Sequence, residues 1–380
     1  MTNPFIMGLK PKVADMALLD TKTLYDRVGQ NTGNLAFHAA IDAHLGGGLS
    51  TIAWGANPQR IDETGSVGVL PAANQFGAHV DYKILSENFA KLECRMVMIG
   101  LGAQSDVDGK MPEVPEGTVA WVRQIADHRR GDGPNISVRG PFSKQVLDHY
   151  GLGDHAVVLG CPSLFLNPDP ELGARIAARV RPVKRVAVAA GLRHSVQLRQ
   201  IEQSLARLVT VTGGSYVGSH PLPMIQLTRG EARDVARDEL EAHRNYICPE
   251  MDTDEFVRWT ERHGNVFFDI PNWMEHYRRF DFVIGPRIHG TMLALQAGVP
   301  AVCIAHDSRT LELCQTMLVP HILAKDIASG VSRDQLLDLF AQFDATAFDA
   351  NRRMLARRYV DFLTFNGLAP VSWLRNIAAN

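Results

Sequence analysis

Cysteine is scarce. The chain has five, Cys94, Cys161, Cys248, Cys303 and Cys314, an odd number with no CxxC spacing. Neither a disulfide framework nor a zinc knuckle is indicated, and free cysteines in apolar runs behave as small buried hydrophobes. No sign of charge dominates either: 39 Lys and Arg stand against 41 Asp and Glu, a formal net charge of -2. That excludes a strongly basic nucleic-acid binder and an acidic solvating chain, so no nucleic-acid partner is expected. Long hydrophobic runs are missing. The longest mainly apolar stretch, Met292 to Ala305, is broken by Gln296, Gly298 and Pro300 and is too short to span a bilayer. Met1 to Leu19 shows no basic head followed by an apolar block, so no signal peptide is evident and the expected location is cytoplasmic. Gly and Pro, 32 and 20 of 380 residues, are near average, which excludes collagen-like and low-complexity chains.

What is present is ordinary globular material, 46% hydrophobic and 21% charged, enough for two or three domains at roughly 150 residues each. Short β-rich runs alternate with helical stretches. The runs are Ser50–Trp54, Arg95–Ile99, Ile136–Val138, Ala156–Leu159, Arg185–Ala190, Ser215–Val217, Val266–Ile270, Asp281–Ile284 and Ala301–Ala305. Many are continuously apolar, which suits strands buried on both faces of a parallel sheet. Helical patterns lie between them, at Phe37–Leu45, Thr118–His128 and Ser143–Tyr150. The alternation predicts an α/β fold. The turn-rich Leu166–Pro170 and Val180–Pro182 mark a boundary. We therefore expect an N-terminal domain over 1–175, a C-terminal domain over 176–345 and a terminal helix over 346–380. The first 30 residues show no clear opening strand, and a short helix is expected there.

The most informative stretch runs from Asp281 to Arg309: a strand, the Gly285-Pro286 turn, an apolar helix from Thr291 to Ala297, Gly298 and Pro300 as its stop, and a second strand, Ala301–Ala305. A right-handed crossover makes the two strands parallel, so their carboxyl ends share one sheet edge. Arg287 and His289 stand at the first strand's end, and His306, Asp307 and Arg309 at the second's. Ligands in open α/β sheets bind at that edge. Gly290 and Thr291 are expected to open the helix, whose free N–H groups attract anions. Together these features describe a phosphate or carboxylate site. The competing account is a structural Arg287–Asp307 ion pair with His289 as a helix cap. No His/Cys/Asp cluster has metal-ligand spacing, so no metal is expected.

The same segment, G-x-R-x-H-G-T-x-x-A-x-x-x-G-x-P-x-V-x-I followed by His-Asp-Ser-Arg, resembles the C-terminal signature of the polysaccharide pyruvyl transferase family. Asn31–Ile41 resembles that family's N-terminal glycine–asparagine loop and first helix. Met98–Gln104 resembles its glycine-rich strand end, and Ile136–Gly140 and Gly160–Ser163 its central blocks. The resemblance implies two Rossmann-like domains facing a cleft, a GT-B-like fold. It implies an enzyme that moves the enolpyruvyl skeleton of phosphoenolpyruvate onto sugar hydroxyls, forming a pyruvate ketal and releasing phosphate. The acceptor would be a glycan or lipid-linked oligosaccharide of a bacterial cell-envelope polysaccharide or exopolysaccharide. Phosphoenolpyruvate would be a co-substrate and no cofactor is implied. The family's Arg-x-His, associated with phosphoenolpyruvate binding and catalysis, falls on Arg287 and His289.

The residue types suit that chemistry. Arginine offers a fork of donors to phosphate and carboxylate. An acid/base near neutral pKa suits protonation of the vinyl carbon and attack by a hydroxyl; His289 is the candidate, or it only binds phosphate. Other candidates carry two readings each. Arg193 and His194, after the Arg185–Ala190 strand, bind donor or decorate a solvated loop. Arg139 reaches phosphate across the cleft or pairs with an acid. Gly33 and Asn34 offer backbone N–H groups to substrate or simply cap a helix. Asp307 orients His289 or caps its loop. Cys161 shows no activating neighbour that would make it a nucleophile. Arg352, Arg353, Arg357 and Arg358 touch an anionic membrane face bearing the acceptor or form a helix's solvated face; the acids mixed among them favour the second. The rival functions are a glycosyltransferase or sugar-nucleotide enzyme on the same fold, with Glu312 as its ribose contact, and a non-catalytic family member.

Overall fold

A computed structural model describes residues 2–104, 110–191, 193 and 195–379. Its strands are β1 (Pro4–Met7), β2 (Thr51–Ile52), β3 (Val67–Pro71), β4 (Phe76–Gly77), β5 (Arg95–Leu101), β6 (Ala103–Gln104), β7 (Ile136–Val138), β8 (Ala156–Val158), β9 (Val186–Ala189), β10 (Ser215–Val217), β11 (Gly264–Asn265), β12 (Phe282–Gly285), β13 (Ala301–Ala305) and β14 (His321–Leu323). They form two six-stranded sheets, ordered β2-β1-β3-β5-β7-β8 and β11-β10-β9-β12-β13-β14, with β4 and β6 as a separate ribbon. All the ladders are parallel. Within the second sheet the chain order is 3-2-1-4-5-6, the doubly wound order that opens a crevice where the direction of winding reverses, here between β9 and β12. The first sheet reverses between β1 and β3. The protein is thus two Rossmann-like domains in a GT-B-like arrangement; the strand–helix alternation predicted the α/β class, and the family resemblance implied the rest.

Three local expectations fail. The chain does open with a strand: Phe5, Ile6 and Met7 are fully buried in the middle of the first sheet, between β2 and β3. Pro4 sits at the first position, where a missing N–H is tolerated. The expected strand at Val266–Ile270 is displaced to β11, because Asp269 accepts from the Asn272 N–H at 2.9 Å and starts the Ile270–Tyr277 helix. The helix after β12 begins at Ile288, three residues early, so His289 and Gly290 lie in its first turn. This helix is buried nearly all round. Met292, Leu293 and Leu295 have no exposure, each contributing about 1.5–3 kcal/mol. Gly290 lets it settle on β9, since a Cβ there would stand 2.7 Å from the Ala189 Cβ. That rigid seat fixes the site described below.

The helix Ala345–Phe365 carries the chain back toward the first sheet. The Val371 N–H donates to the His44 carbonyl at 2.9 Å, and Asn366 Nδ2 to the Pro134 carbonyl at 3.0 Å. Its arginines are a solvated row only in part: Arg357 and Arg358 are exposed, Arg353 is half-buried and Arg352 is not exposed at all. Arg352 is fully buried and donates to the carbonyls of Leu164 (3.0 Å), Asp169 (2.5 Å) and Asn167; Arg357 bonds the Ala378 carbonyl at 3.1 Å. Arg352 therefore pins the helix to the segment joining the domains. Arg352→Met is expected to cost about 3 kcal/mol, because one buried and two half-buried carbonyls lose their donor. Urea unfolding measures it; a loss below about 1 kcal/mol would show the guanidinium to be dispensable. No helix among the described residues is long and apolar enough to cross a membrane.

Candidate functional site

A cavity of about 410 Å³ lies between the two domains at the carboxyl edges of both sheets. The second domain contributes Arg287, His289 and Gly290 after β12, and His306, Asp307 and Arg309 after β13. The first contributes Gly33 and Asn34 at a helix start, Asn74 after β3, Gln104 in β6 and Arg139 after β7. Sequence reasoning thus placed most of its candidates on one wall-to-wall site, and three guanidinium groups there face one carboxylate among the described lining residues.

Arg287 is the group most clearly without a partner. Its Nε and Nη2 are buried and donate to no partner, and it forms no ion pair within 4.0 Å among the described residues. Burial pushes its pKa down to about 10 even though Glu202 and Asp307 oppose the shift. Glu202 does not answer it directly: its carboxylate accepts from the Gly191 N–H at 3.1 Å and the Tyr216 hydroxyl at 2.5 Å, and burial raises its pKa. The competing account, a structural Arg287–Asp307 pair, is not met: Asp307 pairs with Arg309 instead. Around Arg287, the N–H groups of Ile288, His289 and Gly290 have no acceptor inside the helix.

Arg139 is aimed by its own backbone neighbourhood. Nε donates to the Gly100 carbonyl at 3.0 Å and Nη2 to the Ala72 carbonyl at 3.4 Å, with Phe37 6.0 Å away. The alternative of an acidic partner is not met among the described residues; Arg139 lines the cavity, with these two nitrogens held by carbonyls of its own domain. His289 is packed at 5.4 Å from the Phe37 ring, with Nε2 3.6 Å from Cys161 Sγ. Burial, followed by the charges of Arg139, Arg287 and His38, pushes its pKa down to about 3. His289 is therefore neutral in the free protein, not poised near 7 as the sequence suggested.

Asp307 does not orient His289. It caps the Ser308–Met317 helix through the Thr310 N–H at 2.7 Å and pairs with Arg309 at 2.7 Å. Burial acts against its charge, but Arg309, His306 and the cap hold its pKa at about 2. Arg309 also reaches Gln104 Oε1 across the cleft at 3.2 Å, where Asn74 Nδ2 donates at 2.8 Å. Thr291 is outside the cavity wall: its N–H already bonds the Arg287 carbonyl at 3.0 Å and its side chain is fully buried. Arg193 is also elsewhere, held by Glu239 at 2.7 Å, and His194 lies outside the described residues. At the first-domain helix, Gly33 is the cap position, and its N–H is taken by Asn31 Oδ1 at 2.9 Å. Asn34 is the first helical residue and spends its side chain as a donor to the carbonyls of Val28 (3.2 Å) and Gly29 (3.3 Å), so Gly33 occupies the cap while Asn34 does not act as one. Sequence reasoning missed Asn74, His79, Ser219 and Trp273, which also line the cavity. Asn74 and His79 follow a strand that was not recognised, and Trp273 carries no signal that separates it from an ordinary core aromatic.

Glu312 is occupied as well. It reaches across the domain gap to accept from the Ser143 N–H at 2.7 Å and the Ser143 hydroxyl at 2.8 Å, at the start of the Pro141–His149 helix. Among the described residues no three His, Cys, Asp or Glu side chains are grouped to hold a metal.

Against known proteins, a family model described as polysaccharide pyruvyl transferase matches residues 64–308. No curated protein matches the chain. Among solved structures it is similar to the UDP-N-acetylglucosamine 2-epimerase of Rickettsia bellii, at 10% identity over 98% of this chain and 97% of that one, TM-score 0.45. The UDP-GlcNAc 2-epimerase of Methanocaldococcus jannaschii, in complex with UDP-GlcNAc and UDP, matches at 10% identity over 95% and 99%, TM-score 0.44.

Proposed function

Because the chain belongs to the polysaccharide pyruvyl transferase family, we propose that it transfers the enolpyruvyl skeleton of phosphoenolpyruvate to two hydroxyls of a sugar in a polysaccharide or its lipid-linked precursor. The observation that carries this reading is the buried Arg287 guanidinium with two donors unused, beside the open helix N-terminus and Arg139 and Arg309. Buried donors without partners are costly, and a ligand with a phosphate and a carboxylate satisfies them bidentately. The cavity is larger than a three-carbon acid phosphate needs, and Asn74, His79 and Gln104 of the first domain offer hydrogen bonds to acceptor hydroxyls.

The chemistry then runs in balance. A proton adds to the vinyl carbon, which becomes the methyl group, and the positive charge formed at the neighbouring carbon is met by the first sugar hydroxyl. That hydroxyl gives up its proton, phosphate leaves from the same carbon, and the second hydroxyl takes its place and loses its own proton. One hydroxyl proton restores the acid and the other departs with phosphate. His289 is the acid/base in this scheme. Neutral in the free protein, it gains a proton once the donor's negative charges stand beside it, since an opposite charge within a few ångströms favours the imidazolium. Arg287 and Arg139 hold the phosphate and carboxylate and draw off the charge that develops on the leaving oxygen.

The sugar-nucleotide alternative loses its ribose contact, because Glu312 is bound to Ser143. Thermal unfolding of the purified protein with phosphoenolpyruvate, UDP, GDP or CMP separates the readings. Phosphoenolpyruvate at a hundred times its Kd is expected to stabilise by about 2.7 kcal/mol, with no shift from nucleotides. A shift with a nucleotide alone would replace this reading with the sugar-nucleotide one, and binding of phosphoenolpyruvate without phosphate release toward any glycan would leave a non-catalytic member.

A further inference from the structure

Behind His289 stands a polar pair that the scheme above leaves unused. Cys161 Sγ lies 3.6 Å from His289 Nε2, and the Ser163 hydroxyl donates to the same sulfur at 3.1 Å. Cys161 is 1% exposed and Ser163 fully buried. The sulfur is fixed from both domains. It sits in the turn after β8, where Gly160 has φ +74° and a Cβ would meet Met317 Cγ at 2.9 Å. The Cys161 N–H itself points at Met317 Sδ, 3.4 Å away. Neither residue reaches the cavity wall, so neither is a substrate contact.

The hydrogen-bond chain has a direction. A thiol sulfur is a weak acceptor and an unprotonated imidazole nitrogen a strong one. With the Ser163 O–H already given to the sulfur, the Cys161 S–H is the proton available to His289 Nε2. A neutral imidazole carries one ring proton, and the hydrogen bond at one nitrogen decides where it stands. An S–H given to Nε2 leaves that proton on Nδ1. That nitrogen lies against Gly33, where a Cβ would come within 3.7 Å, and Gly33 lines the cavity. An N–H there attracts an anion; the opposite tautomer would set a lone pair against it.

We propose that Cys161, backed by Ser163, is a positioning residue that holds neutral His289 as its Nδ1–H tautomer, so that the nitrogen beside the cavity is a donor. The functional half of this rests on the phosphoenolpyruvate reading; the tautomer itself does not. The consequence is that the ring meets the substrate anion already oriented, and that the proton it later exchanges is on Nδ1.

Long-range 1H–15N correlation spectra of histidine-labelled protein test it, with the His289 signals identified by their loss in His289→Gln. The wild type should show a protonated Nδ1 and a bare Nε2 for His289. Cys161→Ala should move the proton toward Nε2, the form that free histidine prefers, whereas Cys161→Ser, which keeps an O–H donor, should preserve the wild-type pattern. Titration with phosphoenolpyruvate should then show affinity down about tenfold in Cys161→Ala and near wild type in Cys161→Ser. A protonated Nε2 in the wild type overturns the proposal without any variant, and so does an unchanged pattern in Cys161→Ala. Should that variant not fold, Ser163→Ala takes its place and is expected to mix the two tautomers; a pure Nδ1–H pattern there removes Ser163 from the relay. An Nδ1–H pattern in a wild type that does not bind phosphoenolpyruvate supports the tautomer assignment and rejects the donor instead.

Discussion

Arg287→Ala is expected to abolish phosphoenolpyruvate binding and yet to leave the free protein at least as stable as the wild type. Both halves follow from one fact: the guanidinium is buried with Nε and Nη2 unpartnered. In the free protein that charge is paid for without return, and its pKa is pushed down to about 10 by burial. Removing it relieves a desolvation cost and should raise stability by about 1 kcal/mol, the usual exchange between a strained site and a relaxed one. Two effects temper the gain. Glu202 loses a nearby positive charge, but its bonds to Gly191 and Tyr216 remain. The side-chain stem also leaves some apolar contact behind. With substrate the sign reverses. The fork then makes charge-assisted bonds that strengthen as phosphate departs, and their loss should lower kcat/KM by roughly a thousandfold, about 4 kcal/mol. Arg287→Lys keeps the charge without the fork and should fall between. Calorimetry and phosphate-release kinetics on the same preparations read both. A destabilised Arg287→Ala that still binds phosphoenolpyruvate would reverse the assignment, making Arg287 a structural residue.

The contrast between Arg287 and Arg193 shows what a sequence can disclose. Both follow a β-strand of the second domain at the cavity edge. Arg287 stands in a contiguous strand, turn and helix whose parts constrain one another, so its direction was legible from Gly285-Pro286 and the apolar helix beyond. Arg193 depends on a residue 46 positions later: Glu239 lies on a different helix, and nothing local announces that it will take both of the arginine's bonds. The same distance hides Arg352, whose three carbonyl partners lie more than 180 residues away. Arginines at helical spacing read as a solvated face when their acceptors are backbone atoms, because backbone acceptors leave no mark on the sequence. The parallel sheets were legible because strands buried on both faces are continuously apolar. β1 escaped because four residues beginning with proline carry too little pattern to separate a strand from a loop, and Asn74 and His79 went unread with the β3 strand that precedes them. His289 was found by its position, but its protonation state was not. That depends first on burial, then on two arginines and a second histidine brought to it by the fold.

Acid should destabilise this protein well above the range where carboxylates titrate. His44 is fully buried. Its Nε2 faces the Phe165 carbonyl at 3.3 Å, and the Tyr359 and Trp373 rings pack at 5.5 and 5.3 Å. Burial first, then the charge of Arg352, pushes its pKa down to about 3, against the Phe165 bond. His38, 4% exposed, donates Nδ1–H to the Asn34 carbonyl at 2.9 Å and leaves Nε2 without a partner; burial pushes its pKa down to about 4. Both values lie below the unfolded 6.5, so between these limits the unfolded chain binds more protons than the native one. Stability is therefore complete above about pH 6.5 and falls as the pH drops toward 4. At pH 5 each histidine costs about 2 kcal/mol, roughly 4 together, a large share of the 5–15 kcal/mol that holds a typical domain folded. His289 and His276, also pushed down to about 3 and 4 by burial, add to the loss; urea unfolding from pH 7.5 to 5 should show it, and His44→Gln should reduce it by about 2 kcal/mol. A stability flat across that range would mean that water reaches His38 and His44 in the native state. The location of His44 adds a structural consequence. It is packed between the first-domain helix Asn34–His44 and the returning C-terminal segment, whose Val371 bonds its carbonyl. Protonation there loosens the C-terminal segment where it docks on the first domain, so protection of the Ala345–Phe365 and Ser372–Ala379 amides in hydrogen exchange should fall with pH before that of the second sheet does.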